Sequence, residues 1–167
     1  MPQTLKANIG LNDETRGSVK RILDHHLADL HVLYVKTRNY HWNVRGPQFI
    51  SLHELFEEQY TAMAESIDEV AERVRSLGEN PIGSMREFLE IARLQEEVPG
   101  NLPSAHDMVA HLLSDHEAVI RQLRSDVDVT GNDCHDVGTS DFLTGLMEAH
   151  EKMAWMLRAF LEDHSVN

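Results

Sequence analysis

Apolar residues recur at spacings of three and four along most of the chain, and this periodicity constrains the fold more than any other feature. The four long periodic stretches cover residues 16–40, 49–77, 104–127 and 139–163. Residues 12–15 (Asn-Asp-Glu-Thr) supply helix N-cap candidates before the first stretch, and Gly78 is placed to end the second. The alternation of period two that is typical of strands is absent from the sequence. We therefore predict an all-α protein.

The connections between these stretches indicate how the helices are arranged. The break after the first helix, Arg45-Gly46-Pro47, is short, whereas residues 78–103 form a long connection with a short helical stretch at 85–94. Residues 130–133 are predicted to form a turn before the last helix. Four long helices with one long central crossover have the connectivity of a ferritin-like four-helix bundle. We assign residues 1–13 to an N-terminal tail and residues 14–167 to the bundle domain.

The charge balance restricts the binding partners. The 167 residues include 28 Asp and Glu but 15 Lys and Arg, which gives a formal net charge of −13. Binding of such a chain to a polyanion would add repulsion, because DNA binding gains free energy from basic side chains that displace counterions. The 11 His and the excess of carboxylates favour cations instead.

Cysteine content and hydropathy indicate the compartment. One Cys, Cys134, cannot form a disulfide framework or a Cys-based zinc site within the chain. No apolar run approaches the ~18 residues of a transmembrane helix, and the first residues lack the apolar core of a signal peptide. We expect a cytoplasmic protein with no membrane segment.

The second helix carries a spacing that is typical of metal ligands. His53 and Glu57 are four residues apart, as are Asp68 and Glu72, and at 100° per residue all four share one helix face. Glu57 and Asp68 are nevertheless about 16 Å apart along the axis, so one ion cannot contact both pairs of a single chain. His41, at the end of the first helix, is a candidate fifth ligand.

Three interpretations of this pattern remain open from spacing alone. The four positions could be a solvated helix face, two incomplete half-sites, or ligands that two antiparallel copies of the helix bring together across a two-fold axis. The diiron site inside other bundles requires Glu-x-x-His on two helices, and no His here has Glu or Asp three residues before it. If there is a metal site, this absence favours the intersubunit arrangement.

Several segments resemble the Dps family of mini-ferritins, which is named for DNA-binding proteins of starved cells. The resemblance rests on Tyr-His-Trp-Asn-Val-Arg-Gly-Pro-Gln-Phe at 40–49, Leu-His-Glu-Leu-Phe-Glu at 52–57, and Ile-Asp-Glu-Val-Ala-Glu-Arg at 67–73. It extends over the whole chain, including the short helix of the connection and Trp155. It implies a hollow shell of twelve subunits in which His41, His53 and Glu57 of one subunit and Asp68 and Glu72 of another form a ferroxidase centre. Many members of the family have Asp where this chain has Glu57.

The resemblance implies an enzyme that oxidises Fe²⁺ with hydrogen peroxide or dioxygen and stores the Fe³⁺ in the shell, which protects the cell from oxidative damage. Imidazole and carboxylate ligands suit this chemistry, because hard oxygen ligands favour the ferric product. Zinc is a further ion that the same five ligands could hold.

Other polar and aromatic residues have expected roles with structural alternatives. Trp42 and Trp155 are candidate electron donors near the centre, or ordinary packing aromatics. Glu54 and Glu58 are candidates for iron nucleation, or belong to a solvated surface. Three carboxylates near the start of the last helix are candidates for a three-fold iron entry pore, or for capping and turn roles: Asp133, Asp136 and Asp141.

A structural role in condensing DNA is the alternative function. A Lys-rich N-terminal tail often binds DNA in relatives that condense it, whereas residues 1–13 here contain one Lys, Lys6, and one acid, Asp13. Arg16, Lys20 and Arg21 form a small basic patch that a net charge of −13 outweighs. We therefore expect little DNA binding at physiological salt.

Overall fold

The computed structural model describes residues 6–162, which form four long helices and one short helix with no strand among them. The long helices are α1 (Asp13–Asn43), α2 (Phe49–Ser76), α4 (Ala105–Asp128) and α5 (Val137–Leu161), and the short helix is α3 (Met85–Ile91) in the long connection. Helix α1 packs against α2, and α4 packs against α5. This confirms the predicted four-helix bundle with its extra helix. Within this part of the chain, no helix is both long and apolar enough to cross a membrane.

Local capping sets the ends of the first two helices. Helix α1 begins three residues earlier than the apolar stripe indicated, because the Asn12 side chain accepts a hydrogen bond from the Thr15 backbone N–H at 2.8 Å. Helix α2 ends at Ser76, and Gly78 follows with a φ of +84°, which confirms the predicted stop. A Cβ at Gly78 would lie 2.7 Å from the Ala7 Cβ, so both the conformation and the space favour glycine.

The second half of the chain differs from the predicted turn. Residues 130–133 are not a simple turn, because the chain continues from α4 into a single π-helical turn at Val129–Asp133. The Thr130 hydroxyl donates to the Asp126 carbonyl at 2.7 Å and stabilises this turn. Ser104 caps α4, and α5 begins at Val137, two residues before the predicted start. The predicted helix end at Asp163 lies outside the described residues.

The core between the helices is apolar except for a few polar side chains. Leu, Val, Met and Phe side chains fill it, which agrees with the periodic stripes. Three histidines are also fully buried: His26 on α1, His116 on α4 and His150 on α5. Sequence periodicity places these positions on core faces, but it does not show that their rings share the interior of the bundle.

Candidate metal centre

Three candidate ligands from α1 and α2 come together at one end of the bundle. His41 lies in the last turn of α1, and the short loop before Phe49 folds α2 back so that His53 and Glu57 lie beside it. One ligand atom from each of the three residues lies within 4.8 Å of the other two. His41 is buried, His53 is half-buried and Glu57 is exposed. We call these three residues the metal triad; they form a partly open site at the protein surface.

Hydrogen bonds fix the two imidazoles of the triad. The His41 Nδ1 lies 2.8 Å from the His53 backbone carbonyl, and the His53 Nδ1 lies 2.9 Å from the His41 backbone carbonyl. A carbonyl can only accept, so each Nδ1 carries a proton, and in the neutral ring the lone pair is then on Nε2. The rings are stacked with centroids 3.8 Å apart. Both imidazoles are therefore held in the tautomer and orientation that a metal ligand needs.

The structure does not bring Asp68 and Glu72 to the triad of the same chain. Both are exposed on α2, and Asp68 is eleven residues beyond Glu57, about 16 Å along the helix. Among residues 6–162, the triad is the one group of three His, Cys, Asp or Glu side chains with metal-ligating geometry. One chain thus brings together three of the five predicted ligands, and the assignment of Asp68 and Glu72 to the same centre stays a prediction.

Two residues that the sequence analysis missed surround the triad. The Tyr60 ring lies edge-on to His41 with centroids 5.2 Å apart, and its hydroxyl donates to the Glu57 Oε1 at 3.4 Å. The Arg38 guanidinium lies 5.5 Å from the centroid of the Tyr60 ring and 5.0 Å from that of Trp42. Helical spacing could have indicated both residues, because side chains three residues apart are neighbours on a helix surface. Arg38 precedes His41 by three residues, and Tyr60 follows Glu57 by three. Burial, and then the Glu57 carboxylate, raise the pKa of Tyr60.

The two tryptophans occupy different positions. Trp42 follows His41 directly and lies under Arg38, with 63% of its surface exposed. Trp155 lies on α5 and is 61% exposed. Neither is an ordinary core residue of this chain, and their role as electron donors stays a prediction.

The carboxylates predicted for iron nucleation and for the pore differ in how many contacts they make within the chain. Glu54 and Glu58 are exposed on α2, where they line a shallow groove together with Glu57 and Glu65. Asp133 and Asp141 are also exposed. These four side chains are therefore accessible to ions, although accessibility alone does not assign them to nucleation or to a pore.

Asp136, by contrast, has structural partners. Its carboxylate accepts from the Thr139 backbone N–H at 3.0 Å and thereby caps α5. It also lies 3.2 Å from the Arg73 Nη2, and the residue is 5% exposed. Within the single chain, Asp136 therefore has the capping role that was the alternative to a pore role. Its pore role stays a prediction.

Comparisons with known proteins agree with the fold. A family model described as a ferritin-like domain matches residues 20–165. An uncharacterized low temperature-induced protein of Nostoc sp. is 55% identical over 96% of this chain and 89% of its own length. The DNA protection during starvation protein 2 of Bacillus anthracis is 44% identical over 86% of this chain and 96% of its own length.

A solved structure extends this similarity to three dimensions. The crystal structure of the Dps protein of Vibrio cholerae is described as a member of a broad superfamily of ferritin-like diiron-carboxylate proteins. It superposes with a TM-score of 0.87 at 32% identity, covering 94% of this chain and 97% of that one. Neither the structure nor these relatives supports zinc at the triad.

Proposed function

This chain belongs to the Dps family of ferritin-like proteins, and from that premise we propose that it is a ferroxidase that oxidises Fe²⁺ and stores the Fe³⁺. The observation that carries the proposal is the triad, in which two preset imidazoles and one carboxylate lie within 4.8 Å of one another. Neutral imidazole and carboxylate together suit iron in both oxidation states.

The proposed centre is completed by a second copy of the chain. Two α2 helices that run antiparallel across a two-fold axis place Asp68 and Glu72 of each copy opposite the triad of the other, and symmetry then produces two identical sites. Asp68 and Glu72 are exposed and accessible to such a partner. Three large apolar side chains close to the triad in sequence are exposed as well: Trp42, Phe49 and Ile50. A second copy would remove that apolar surface from water. We propose twelve such chains in a closed shell.

The proposed reaction joins two iron ions to one peroxide. Two Fe²⁺ ions give one electron each, and H₂O₂ with two protons becomes two molecules of water, so that no hydroxyl radical is released. The residues of this chain contribute by holding the substrate ions: the fixed imidazoles supply neutral ligands, and the carboxylates balance the charge that grows as Fe²⁺ becomes Fe³⁺. Dioxygen is the alternative oxidant.

Storage and location complete the proposal. We propose that Glu54 and Glu58 face the shell cavity and nucleate the ferric mineral, because they lie one turn or less from Glu57 on an acidic, exposed helix face. Iron would reach the cavity past exposed carboxylates such as Asp133 and Asp141. We place the protein in the cytoplasm, since a single Cys suits a reducing compartment.

A stepwise titration tests this function. Fe²⁺ is added to the purified protein without oxygen, hydrogen peroxide follows, and ferric absorbance and hydroxyl-radical trapping are measured together. We expect two Fe²⁺ to be oxidised per peroxide with little trapped radical. Oxidation no faster than in protein-free buffer, or one trapped radical for each Fe²⁺ oxidised, would contradict the proposal.

A further inference from the structure

Arg93 joins the long connection to the bundle. It lies two residues after the end of α3, and its backbone N–H and its Nε donate to the Asp29 carboxylate of α1 at 2.6 and 2.7 Å. The Leu94 backbone N–H donates to the same carboxylate at 3.2 Å, and the Arg93 Nη1 donates to Gln122 of α4 at 2.9 Å. Asp29 is 1% exposed. One buried carboxylate and one guanidinium therefore hold the chain after α3 against both α1 and α4.

The same guanidinium contacts a buried imidazole that has no role in the metal triad. His26 of α1 is 0% exposed, its Nε2 lies 2.7 Å from the Asp126 carboxylate, and its Nδ1 lies 3.4 Å from the Arg93 Nη2. A guanidinium can only donate, so the His26 Nδ1 accepts and carries the lone pair, while Nε2–H donates to Asp126. This long hydrogen bond between Arg93 and His26 therefore requires a neutral imidazole.

Protonation of the His26 Nδ1 would turn this contact from attraction into repulsion. It would replace the accepted hydrogen bond by two positive charges that face each other, one of them on a buried ring. Asp126 and Asp29 favour the charged ring, but burial has the largest effect, and burial together with the Arg93 charge lowers the pKa of His26.

The other two buried histidines add no positive charge beside His26 near neutral pH. His150 interacts electrostatically with His26 from α5, and its Nδ1 lies 2.9 Å from the Nδ1 of His116 on α4. Burial lowers the pKa of His150 to about 3 and that of His116 well below the usual range. Arg93 is therefore the cation that protonation of His26 would oppose.

We propose that His26 and Arg93 form a pH-sensitive latch, which holds the connection against α1 at neutral pH and releases it in acid. When the connection lifts away, Arg93 leaves the imidazole and water reaches it, so the open form binds a proton at about pH 6.5, as an ordinary His does. The closed form binds that proton only at lower pH. The ratio of open to closed molecules therefore rises by up to about 10-fold for each pH unit below 6.5.

Two further histidines of α1 contact the connection. The His25 Nδ1 lies 3.0 Å from the Ile91 carbonyl, and a protonated imidazole keeps the Nδ1–H that this bond needs. His31 stacks on Phe88 of α3 with ring centroids 3.8 Å apart, and burial lowers its pKa as well. His25 is therefore a neutral control for the latch, whereas His31 is the competing explanation that the test must separate from it.

Hydrogen exchange of the full chain, read by mass spectrometry between pH 7.5 and pH 5.0, tests the latch. Exchange rates are corrected for their intrinsic pH dependence, and circular dichroism verifies that the helices stay folded. We expect residues 85–99 to lose protection about 10-fold or more over this range, because their opening is coupled to protonation. The latch uses no residue of the metal triad and does not depend on the iron chemistry proposed above.

The matched variant is His26→Gln. A Gln amide can donate to Asp126 and accept from Arg93, but it takes up no proton in this pH range, so residues 85–99 should stay protected at pH 5.0. His25→Gln should keep the native pH dependence. Arg93→Gln tests the latch without a change at His26: it should open the connection at pH 7.5 and leave little further opening in acid.

Three results would overturn the proposal. The first is a native chain whose residues 85–99 keep their protection down to pH 5.0. The second is a His26→Gln variant that loses protection in acid as the native chain does. The third is a His31→Gln variant that abolishes the acid-dependent opening, since release would then depend on the ring stacked on Phe88.

Discussion

His41 and His53 hold each other in place: each imidazole Nδ1 donates to the backbone carbonyl of the other residue, at 2.8 and 2.9 Å. The eleven residues between them include the loop that turns α1 into α2, so the bonds also fix how the two helices meet. Both Nε2 lone pairs are thereby preset before a metal arrives. Loss of the His53 imidazole would therefore remove one candidate ligand and the ring stacked on His41, while the His41 Nδ1 keeps its hydrogen bond to the His53 backbone carbonyl.

The first prediction concerns the ligands of the proposed iron centre. His53→Ala and Asp68→Ala should each slow peroxide-dependent Fe²⁺ oxidation at least ~10-fold, because each removes one ligand of five while leaving the fold intact. Stopped-flow ferric absorbance measures the rate, and native mass measures the assembly. Glu69→Ala is the control for Asp68, since Glu69 is its exposed neighbour on α2.

A mixture of the two variants tests whether the site is shared between subunits. In dimers that combine one His53→Ala chain with one Asp68→Ala chain, one centre loses both ligands and the other keeps all five. Shells reassembled from both variants should therefore recover part of the native rate. Mixed shells no faster than either variant alone would indicate that the five ligands do not form an intersubunit centre.

The second prediction concerns stability in acid. Burial lowers the folded-state pKa of His150 to about 3, below the ~6.5 of an unfolded His, and His116 shifts in the same direction. Between pH 6.5 and pH 3 the unfolded chain binds protons that the folded chain does not. The free energy of unfolding is therefore highest above pH 6.5 and falls as the pH drops toward 3. Replacing the pair by leucine should reduce this loss by an amount on the order of a few kcal/mol.

Urea unfolding midpoints at pH 7 and pH 4.5 measure that effect. The native chain should lose more stability between the two pH values than His116→Leu/His150→Leu does. His106→Leu is the control, because the His106 side chain is 72% exposed and should leave the pH dependence unchanged. Equal pH dependence in the native protein and the double variant would show that the buried pair does not resist protonation.

Much of the metal triad could be predicted from the sequence, whereas the interior histidine pair could not. The i, i+4 spacing of His53 and Glu57 follows from helix geometry alone, and their proximity to His41 follows from a short loop between two helices. His116 and His150 are 34 residues apart on separate helices. Their contact depends on the register between α4 and α5, which side-chain packing sets and no local spacing reveals.

The contacts of Asp136 explain why α5 begins at Val137, two residues before the predicted start. The Asp136 carboxylate caps α5 and also binds Arg73 of α2. That Arg73 contact spans 63 residues of sequence. The π-helical turn at Val129–Asp133 could not be predicted from hydrophobic periodicity, because it is a single turn in a short polar segment.

The third prediction concerns DNA. We expect no tight binding of duplex DNA by the intact protein at ~150 mM salt, because three of the basic side chains near the N-terminus are already paired with carboxylates. Lys6 and Arg16 both contact Asp13, at 2.6 and 2.5 Å, and Lys20 pairs with Asp24. The net charge of −13 opposes approach to a polyanion. Gel-shift assays over a salt series measure this.

A chain with several lysines added before Met1 is the positive control for that assay. It should shift DNA at low salt and release it as the salt concentration rises. A salt-sensitive shift by the native protein that disappears on deletion of residues 1–13 would show that the N-terminal segment binds DNA despite these ion pairs.

The last prediction separates the acidic residues at the start of α5. Asp133 and Asp141 are exposed, so in a three-fold arrangement their carboxylates could attract Fe²⁺, and such focusing weakens with ionic strength. Asp133→Asn/Asp141→Asn should slow iron uptake into the shell at low salt and flatten its salt dependence. Asp136→Ala should instead lower stability by about 1 kcal/mol or more, because it removes the α5 cap and the Arg73 partner.

Uptake and chemistry must be measured separately to assign these effects. The rate of ferric formation at limiting Fe²⁺ and low salt measures iron entry, whereas the rate at saturating Fe²⁺ measures the ferroxidase step. The Asp133→Asn/Asp141→Asn variant should leave the saturated rate unchanged, because neither residue belongs to the triad. Glu148→Gln controls for a general loss of surface charge. Glu148 is exposed on the same helix, about two turns beyond Asp141. If the Asp133/Asp141 variant takes up iron as fast as the native protein throughout the salt series, iron enters elsewhere and these residues serve the turn and the first turn of α5.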